Sequence, residues 1–293
     1  KEANIPDFSL EPLVENISKQ LNENVRLIYK NINELEKQKI FKSDAEKIVM
    51  LENIRFYPEE KKNDPHFAKH LASFCDLYVN EAFSCSHRKH ASVCEITNYC
   101  ESYAGLLLCE ELNALNKITS KIIKPITCII GGSKISSKLN IIENLIPKFD
   151  NIVIIGGMAN NFLKFKGINI GKSIYEKNSD HIVKKIISLA EKKNCRLIFP
   201  KDFSVGKKMD DLAKSKKINE IENDDIILDI GLETIEFIKS IINNSKTILW
   251  NGPAGYFENH NFAKGSYEIA KKIANNTLQK KVYSVAGGGD TVT

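Results

Sequence analysis

Short apolar runs alternate along the chain with longer stretches in which apolar residues recur every three or four positions. The short runs are rich in β-branched residues and predict buried strands, whereas the longer stretches predict amphipathic helices. Such alternation is typical of parallel sheets whose strands are joined by crossover helices. The chain is therefore predicted to have an α/β fold.

The amino-terminal part of the chain contains the elements of one lobe with an incomplete sheet. Helices are expected in SLEPLVENISKQL and DPHFAKHLASFCD, and strands in VRLIY, EKIVMLEN and LYVNEAF. Asp64 is the expected N-cap of the second helix and Pro65 its first residue. An aspartate side chain accepts hydrogen bonds from free helix amides, and proline lacks the amide that would otherwise stay unpaired.

A second lobe follows a predicted connecting helix. From Tyr103 to Lys117 apolar residues recur at helical spacing, so residues 103–118 are expected to join a lobe of residues 1–102 to a lobe of residues 119–293. The second lobe is predicted to be a doubly wound sheet with strands in TCII, IVII, RLIFP, IILDI, TILW and VYSVA. Helices such as SDHIVKKIISLAEKK and NFAKGSYEIAKKIAN lie between several of them, and VGKKMDDLAKSKK is expected to be a solvated loop.

Composition narrows the class of protein. A chain of 293 residues has room for about two domains, and 42% hydrophobic with 27% charged residues is typical of a soluble globular protein. The net charge of +5 is spread over the helices, which favours small anionic ligands over nucleic acid, and no apolar stretch predicts a membrane span. The seven cysteines include no CxxC pair, so we expect reduced thiols and a cytoplasmic location.

The two ends of the sequence indicate a longer protein. The chain opens at Lys1, without methionine or a secretory h-region, and it stops at GGGDTVT, where a helix is expected to begin. We therefore expect further residues on both sides, and the chain as given is expected to be inactive by itself.

Five predicted strands of the second lobe end in a glycine turn: TCIIGGSK, IVIIGGMANN, IILDIGLET, TILWNGPAG and VYSVAGGGDT. In open α/β sheets ligands bind at the carboxyl ends of the strands, so these turns are expected to line one crevice. Glycine lets a ligand approach the backbone, and free amides at the start of a helix attract phosphate. A single such turn is better explained by backbone geometry alone, but several at equivalent places indicate a phosphate site. None of them fits the Walker A pattern or the dinucleotide-binding GxGxxG pattern.

The turn GGSKISSK adds positive charge. Lys134 and Lys138 stand four positions apart, and in the first turns of a helix they would project from one face towards the same anion. An arbitrary pair at this spacing in a Lys-rich chain is usually two solvated side chains. The place of this pair, directly after a strand and two glycines, favours phosphate binding.

The turn GGGDT adds a carboxylate. Asp290 could hold a Mg²⁺ ion that bridges phosphate oxygens, while Thr291 and the preceding amides face the phosphates. A simple N-cap aspartate explains this motif equally well when it is taken alone.

Eight ordered segments resemble the motifs of the phosphoglycerate kinase family, and the resemblance covers essentially the whole chain: LENIRFYPEE, KNDPHFAKHLAS, YVNEAF, SHRKHAS, IIGGSKISSK, IIGGMANNFL, LWNGPAGYFE and GGGDT. The resemblance implies two Rossmann-like lobes of doubly wound parallel sheet. It also implies a reversible, Mg²⁺-dependent transfer of a phosphoryl group between 1,3-bisphosphoglycerate and ADP in glycolysis, which gives 3-phosphoglycerate and ATP. The N-terminal lobe would hold the phosphoglycerate and the C-terminal lobe the nucleotide. The family further implies a monomer with small-molecule partners, and neither nucleic acid nor a membrane.

The resemblance assigns roles to individual residues. Arg55 and Arg88 would bind the phosphoglycerate phosphate, because a planar guanidinium matches a phosphate better than lysine does. Lys134 would stabilise the charge of the transferring group and, with Gly288, would be catalytic. The implied nucleotide-binding residues are Gly132, Lys138, Gly156, Gly157, Gly231, Asn251, Pro253, Glu258, Gly287, Gly288, Gly289, Asp290 and Thr291.

Within that set, Asn251 would lie beside the phosphates, Pro253 against the adenosine and Glu258 near the ribose hydroxyls. Asp290 would also be the ligand of Mg²⁺. Because phosphoryl transfer asks little covalent chemistry of the protein, catalysis would rest on placement and electrostatics.

The chain departs from the family pattern in three places. The amino-terminal region that supplies further phosphoglycerate contacts is absent, and so are the last helices that return to the N-terminal lobe. Ile155 replaces the first residue of the family's GGGM, so we expect a changed adenine side of the nucleotide pocket.

Two other functions stay open. Four residues of zinc-ligand type stand within ten positions, although their spacing is not that of the usual zinc fingers: Cys85, His87, His90 and Cys94. The second alternative is a non-catalytic paralogue that keeps the nucleotide site for binding alone, against which the intact Lys134, Lys138 and Asp290 argue.

The remaining aromatic and histidine candidates are expected to be structural. Trp250 ends an apolar strand and is assigned to the core. His66 and His70 lie four positions apart on a charged helix and are expected to be solvated. His181 and His260 have no partner that the sequence identifies.

Overall fold

The computed structural model describes residues 8–43, 45–119 and 123–292. The chain divides into two compact units between Asn113 and Ala114. This division lies inside the segment expected to connect the lobes, while the assignment of one substrate to each lobe stays a prediction.

The first unit alternates helices with strands and contains two separate pairs of parallel strands. Its elements are α1 (Glu11–Leu21), β1 (Val25–Ile28), β2 (Ile48–Leu51), α2 (Pro58–Lys61), α3 (Pro65–Ala72), β3 (Leu77–Asn80), β4 (Glu101–Ala104) and the beginning of α4 (Leu106–Thr119). Short 3₁₀ turns lie at Ile32–Glu34, Lys37–Lys39, Ile54–Phe56, Phe83–Cys85 and Glu95–Asn98. β1 pairs with β2, and β3 pairs with β4. Sequence analysis missed β4 because its four residues are exposed and show no apolar run.

The start of α3 confirms the predicted cap. The Asp64 carboxylate accepts a hydrogen bond of 2.9 Å from the Phe67 amide, and Pro65 is the first helical residue. Phe67 and Leu71 of this helix are buried in the core of the unit, together with Ile28 of β1.

His70 departs from the prediction that it is solvated. Its Nε2 atom lies 2.9 Å from the carbonyl oxygen of Ile32, and its ring packs edge-on against Phe74. The sequence spacing placed His70 on a charged helix but did not show that this face of α3 packs against the turn at Ile32.

The second unit contains the larger sheet and most of the helices. Its elements are the end of α4, β5 (Ile126–Ile130), α5 (Leu139–Leu145), β6 (Asn151–Ile154), α6 (Gly157–Phe165), α7 (Asp180–Lys192), β7 (Arg196–Ile198), β8 (Asp202–Gly206), β9 (Lys214–Lys217), β10 (Ile226–Ile230), α8 (Leu232–Asn244), β11 (Thr247–Asn251), α9 (Lys264–Leu278), β12 (Tyr283–Gly287) and α10 (Gly289–Val292), with 3₁₀ turns at Ser136–Lys138 and His260–Phe262. Within the described ranges, no helix has the length and apolar character needed to cross a membrane.

Five parallel strands form the doubly wound sheet that the sequence predicts. Their order is β12-β11-β5-β6-β7. Successive residues of β5 point to opposite faces, because side chains alternate along a strand. Cys128 therefore packs with α5, α6 and α7, whereas Ile129 packs with α8 and α9. Trp250 lies in the second of these cores and is 6% exposed, which confirms its structural assignment.

A small antiparallel sheet, in the order β10-β8-β9, corrects two predictions. The segment IILDI forms β10 of this sheet and does not belong to the parallel sheet. The stretch VGKKMDDLAKSKK is only partly a loop, since it enters β8 and contains all of β9. β9 consists of the charged residues KSKK, so no apolar pattern indicated a strand.

We predict that Phe162→Ala lowers the free energy of unfolding by about 3–5 kcal/mol, because the side chain is fully buried and its removal leaves a cavity. The measurement is urea-induced unfolding followed by circular dichroism. Phe165 on the same helix is 39% exposed, and Phe165→Ala is the matched control with a much smaller expected loss. Equal losses for the two variants would contradict the assigned core.

Candidate functional site

Neighbouring parallel strands β5 and β11 end side by side, and the turns that follow them touch through their backbones. The Gly131 amide donates a hydrogen bond of 2.9 Å to the carbonyl of Asn251. A Cβ atom on Gly131 would lie 2.1 Å from the carbonyl oxygen of Pro253, and one on Gly252 would lie 2.5 Å from the backbone of Gly131. Only glycine fits at these two positions, and Gly252 also has a φ of 99°.

A polar cavity of about 250 Å³ opens at these strand ends. We call it the polar cavity, and its lining residues are Gly131, Gly132, Ser133, Lys134, Ser137, Lys138, Asn251, Gly252, Pro253, Gly288, Gly289, Asp290 and Thr291. The turns after β5, β11 and β12 therefore converge on one space. A shared phosphate site requires Lys138 and Asp290 on the same side of the lobe, and both line this cavity.

Lys138 is held at the floor of the polar cavity by a chain of hydrogen bonds. Its ammonium donates to the Oδ1 atom of Asn251, whose Nδ2 donates to the Gly287 carbonyl at 2.9 Å. Partial burial lowers the pKa of Lys138 below its usual value, and this shift is opposed by the nearby Cys128 and Asp290. An anion in the cavity would stabilise the charged form of this half-buried lysine.

Thr291 connects two of the turns. Its hydroxyl oxygen accepts a hydrogen bond of 2.7 Å from the Gly252 amide, so that amide is already paired. Asp290 is exposed, and its carboxylate is the negative group among the lining residues of the polar cavity.

Lys134 also lines the polar cavity, but not for the reason that the sequence spacing gave. Residues 136–138 form a 3₁₀ turn and α5 begins at Leu139, so Lys134 precedes the helix and shares no helical face with Lys138. The Ser136 amide, two residues further on, donates a hydrogen bond of 3.0 Å to the carboxylate of Glu176. Hydrogen bonds from Ser136 hold the pKa of Glu176 below its usual value, and the charge of Lys134 contributes in the same direction.

A second, more apolar cavity of about 230 Å³ adjoins the first. We call it the apolar cavity; it is lined by Gly132, Ser133, Gly156, Gly157, Ile174, Pro200, Phe203, Met209, Ile226, Ile227, Leu228, Asp229, Ile230, Pro253, Ala254, Gly255, Tyr256, Phe257, Glu258 and Asp290. Gly132, Ser133, Pro253 and Asp290 line both cavities, so the two are neighbours that share part of their walls. Ile174 packs on Gly157, where a Cβ atom would lie 2.6 Å from the isoleucine side chain.

Asp229 is a buried carboxylate in the wall of the apolar cavity. It is 2% exposed, and its two oxygens accept hydrogen bonds from the amides of Ile230 and Gly265, at 2.8 and 2.7 Å. Burial raises the pKa of Asp229 to about 7, although the two amides act in the opposite direction. Because Gly265 lies in the first turn of α9, this carboxylate joins β10 to that helix.

Twelve of the residues predicted for the nucleotide lobe line one or both cavities: Gly132, Lys134, Lys138, Gly156, Gly157, Asn251, Pro253, Glu258, Gly288, Gly289, Asp290 and Thr291. Gly287 is the last residue of β12 and enters the site through its carbonyl, which accepts from Asn251.

Gly231 and Ile155 are not among the lining residues of either cavity. Gly231 follows β10 of the antiparallel sheet, and a Cβ atom there would lie 2.2 Å from the carboxylate of Asp202, so close packing explains the glycine. Ile155 is completely buried in a core cluster. Its side chain packs in the same cluster as Ile230 and Ala254 of the apolar cavity wall, and the expectation of a changed adenine side stays a prediction.

In the first unit, Arg55 and Arg88 are both exposed. The Nη2 atom of Arg55 lies 3.2 Å from the sulfur of Cys85. Arg88 lies in the loop SHRKHAS. The buried Glu60 fixes the end of this loop by accepting hydrogen bonds from the Ser92 amide and hydroxyl at 2.9 and 2.7 Å. The two arginines remain candidates for binding a phosphate.

The structure does not gather the four residues of the zinc alternative. Among the described residues, the group of ligand atoms that lie within 4.8 Å of one another is Glu222, Asp224 and Asp225. Lys207 and Lys216 already pair with this group, with ammonium nitrogens 2.9 and 2.8 Å from Asp225, and offset two of its three negative charges. All seven cysteines are free thiols, as predicted.

Sequence reasoning missed Asn160, Asn161, Glu176 and Asp229. Asn160 and Asn161 are 0% and 2% exposed in a helix whose other buried residues are apolar. Two consecutive amides in GMANNFL were the available signal, because buried amides need specific partners. The partners themselves lie in a distant loop that no local pattern identified.

The chain is similar to known proteins over nearly its whole length. The profile of one protein family, described as Phosphoglycerate kinase, matches residues 1–293. A phosphoglycerate kinase of Wolbachia sp. subsp. Drosophila simulans is 44% identical over 288 residues, which are 98% of this chain and 72% of the relative. One of Dictyoglomus turgidum is 41% identical over 287 residues, 97% of this chain and 72% of the relative.

Two solved structures are similar as well. Phosphoglycerate kinase from Coxiella burnetii superposes with a TM-score of 0.79 at 34% identity, covering 98% of this chain and 72% of the other. Phosphoglycerate kinase from Pyrococcus horikoshii superposes with a TM-score of 0.80 at 26% identity, covering 97% of this chain and 73% of the other.

We predict that Asp229 makes stability depend on pH. Its pKa is about 7 in the folded protein, whereas an unfolded aspartate has a pKa of about 3.9, so the folded protein binds this proton more tightly. Protonated Asp229 contributes at most about 4 kcal/mol to the free energy of unfolding. This contribution is complete below about pH 4 and is lost as the pH rises through about 7. The free energy of unfolding, measured with urea, should be lower at pH 8 than at pH 5. Asp229→Asn should remove the part of this difference that is due to Asp229. An unchanged difference in the variant would show that Asp229 does not titrate in this way.

Proposed function

The chain belongs to the phosphoglycerate kinase family, and we propose that the polar and apolar cavities of its second unit together bind ADP or ATP. The family's reaction is the reversible transfer of a phosphoryl group between 1,3-bisphosphoglycerate and ADP. The enzyme is accordingly a phosphotransferase that uses a carboxyl group as acceptor.

One observation carries the proposal. The polar cavity combines the backbone of three strand ends with two lysines, and it shares part of its wall with an apolar cavity of similar size. A nucleotide has the same division, because its phosphates are polyanionic and its base is flat and apolar. Backbone amides and ammonium groups are the donors that bind phosphate in proteins.

The two lysines would act differently. Lys138 is half-buried and tied to Asn251, so its ammonium is pre-organised to hold the nucleotide phosphates. Lys134 is exposed at the edge of the cavity and would stabilise the charge that develops on the transferring group, together with the backbone at Gly288. Catalysis would rest on positioning and electrostatics, since phosphoryl transfer needs no nucleophilic side chain.

The apolar cavity would take the nucleoside. Pro253 with Gly156 and Gly157 would face the adenosine, and Glu258 would accept hydrogen bonds from the ribose hydroxyls. Removal of apolar surface from water would provide most of the binding energy on this side.

Asp290 fits a Mg²⁺ ion. A lone carboxylate beside a phosphate site would repel the ligand, whereas carboxylate and phosphate oxygens together are the ligands that Mg²⁺ prefers. Asp290 would hold the ion, and the bound ion would neutralise charge on the phosphates.

We propose that Arg55 and Arg88 of the first unit bind the phosphoglycerate phosphate. Both guanidinium groups are exposed, and the segments that carry them are in contact through Arg55 and Cys85. A planar guanidinium can hold two phosphate oxygens at once. We also propose a monomeric state and a cytoplasmic location. The reducing environment of the cytoplasm agrees with the seven free thiols.

We predict different defects for the two lysines. In the full-length protein that the sequence analysis expects, Lys134→Ala should lower the single-turnover rate of transfer from MgATP to 3-phosphoglycerate by at least about 10²-fold, because a cationic donor to transition-state charge is lost. Lys138→Ala should raise the Kd for ADP about tenfold or more, since a charged hydrogen-bond donor to phosphate is lost. Rapid-quench kinetics and isothermal titration calorimetry measure the two effects.

Lys148→Ala is the matched control, because Lys148 is exposed just after α5 and lines neither cavity. An unchanged transfer rate in Lys134→Ala would contradict the catalytic role. Tight binding of ADP without any transfer in the full-length wild-type protein would favour the non-catalytic paralogue.

We predict that Asp290→Asn separates metal binding from nucleotide binding. The variant should bind ADP about tenfold more weakly in the presence of Mg²⁺, because the metal loses its carboxylate ligand. In the presence of a chelator, ADP should bind the variant at least as well as the wild type, since a negative charge beside the phosphates is removed. Equal losses under both conditions would show that Asp290 does not act through a metal.

A further inference from the structure

A short strap, residues 174–176, is anchored to helix α6 by two buried asparagines. The Asn160 Nδ2 atom donates a hydrogen bond of 2.9 Å to the Ile174 carbonyl, and the Asn161 Oδ1 atom accepts one of 2.8 Å from the Glu176 amide. These two hydrogen bonds tie the strap to α6, whose first residue, Gly157, lines the apolar cavity.

The anchor at Asn161 is well satisfied. Its Oδ1 atom also accepts a hydrogen bond of 3.0 Å from the Ser179 hydroxyl, and its Nδ2 atom donates to the Met158 carbonyl at 3.1 Å. A buried amide that lost these partners would destabilise the fold, so the geometry of the strap is strongly specified.

The side chain of Glu176, the last residue of the strap, contacts the turn that carries Lys134. The Glu176 carboxylate accepts the hydrogen bond of 3.0 Å from the Ser136 amide. The pKa of Glu176 is held below its usual value by the hydroxyl and amide of Ser136, with smaller contributions from the charge of Lys134 and from the Ile135 amide. One carboxylate therefore interacts with three consecutive residues of the turn.

The Glu176 contact complements the other hydrogen bonds of the turn. Two of its carbonyls, at Lys134 and Ile135, accept hydrogen bonds of 2.9 and 3.1 Å from the residues that follow, whereas Glu176 pairs with an amide, that of Ser136. Lys134 is exposed, and its long side chain can take many positions. A fixed backbone reduces the range of positions that its ammonium can take.

We infer that Glu176 is a positioning residue for Lys134: it fixes the turn of residues 134–136 so that the lysine ammonium faces the polar cavity. This inference rests on the catalytic role proposed for Lys134. It extends that role by connecting the phosphate side of the site, through the strap and α6, to the wall that would hold the base.

The test uses Glu176→Ala and Glu176→Gln in the full-length protein, in the wild-type background and in the Lys134→Ala background. Glu191→Ala, an exposed glutamate of α7 outside the cavities, is the matched control. The readouts are the single-turnover transfer rate, the Kd for ADP, and hydrogen exchange at the Ser136 amide measured by NMR.

Glu176→Ala should lower the transfer rate about tenfold and speed exchange at Ser136, while the Kd for ADP stays within about twofold. Glu176→Gln should recover most of the rate, because its carbonyl oxygen can still accept from Ser136. In the Lys134→Ala background Glu176→Ala should have no further effect, since the group that it positions is gone. Glu191→Ala should change none of these quantities.

A transfer rate unaffected by Glu176→Ala would overturn the inference. An equal loss in both backgrounds would also overturn it, because Glu176 would then act on the fold in general. If Lys134→Ala itself leaves the rate unchanged, the proposed role of Lys134 fails and the inference fails with it. The effects of Lys134→Ala and of Glu176→Ala, each measured alone in the wild type, therefore show which of the two proposals is wrong.

Discussion

The backbone contact between the turns after β5 and β11 is the constraint on which the rest of the site depends. Because these strands pair in parallel with Ile130 opposite Asn251, they end at the same level of the sheet. The turns that follow can touch only where Gly131 and Gly252 leave no side chain between them. Any larger residue would separate the turns and widen the polar cavity. The arrangement of amides and lysines around that cavity is thus a consequence of strand register and of glycine at two positions.

Charge in the polar cavity is distributed between a fixed and a more mobile cation. Lys138 is half-buried and bound to Asn251, which is itself bound to the end of β12. Burial disfavours its charged form, and a polyanionic ligand would stabilise that form. Lys134 is exposed and depends on its turn, which the carboxylate of Glu176 contacts. The two lysines of the polar cavity therefore differ in burial and in how firmly each is held.

The small antiparallel sheet shapes the apolar side of the site. Its strand β10 forms a wall of the apolar cavity, and the Leu228 carbonyl accepts a hydrogen bond of 2.7 Å from the Tyr256 amide. Asp229, the next residue, binds the start of α9 through the Gly265 amide. These contacts fix the segment after β11, which includes Pro253 and therefore belongs to both cavities. The apolar wall and the polar floor are consequently parts of one connected framework.

The sequence by itself determined the α/β alternation, the cap at Asp64, the buried Trp250 and most of the glycine-rich strand ends. These features depend on local periodicity or on residues that only a few backbone conformations accept, so they can be read without knowing the fold. Only the tertiary structure decided that Gly231 serves close packing, that Ile155 faces the core and that Glu176 meets the turn of Lys134. Each of these depends on contacts between residues far apart in the chain, and burial and pairing at such distances leave no local pattern in the sequence.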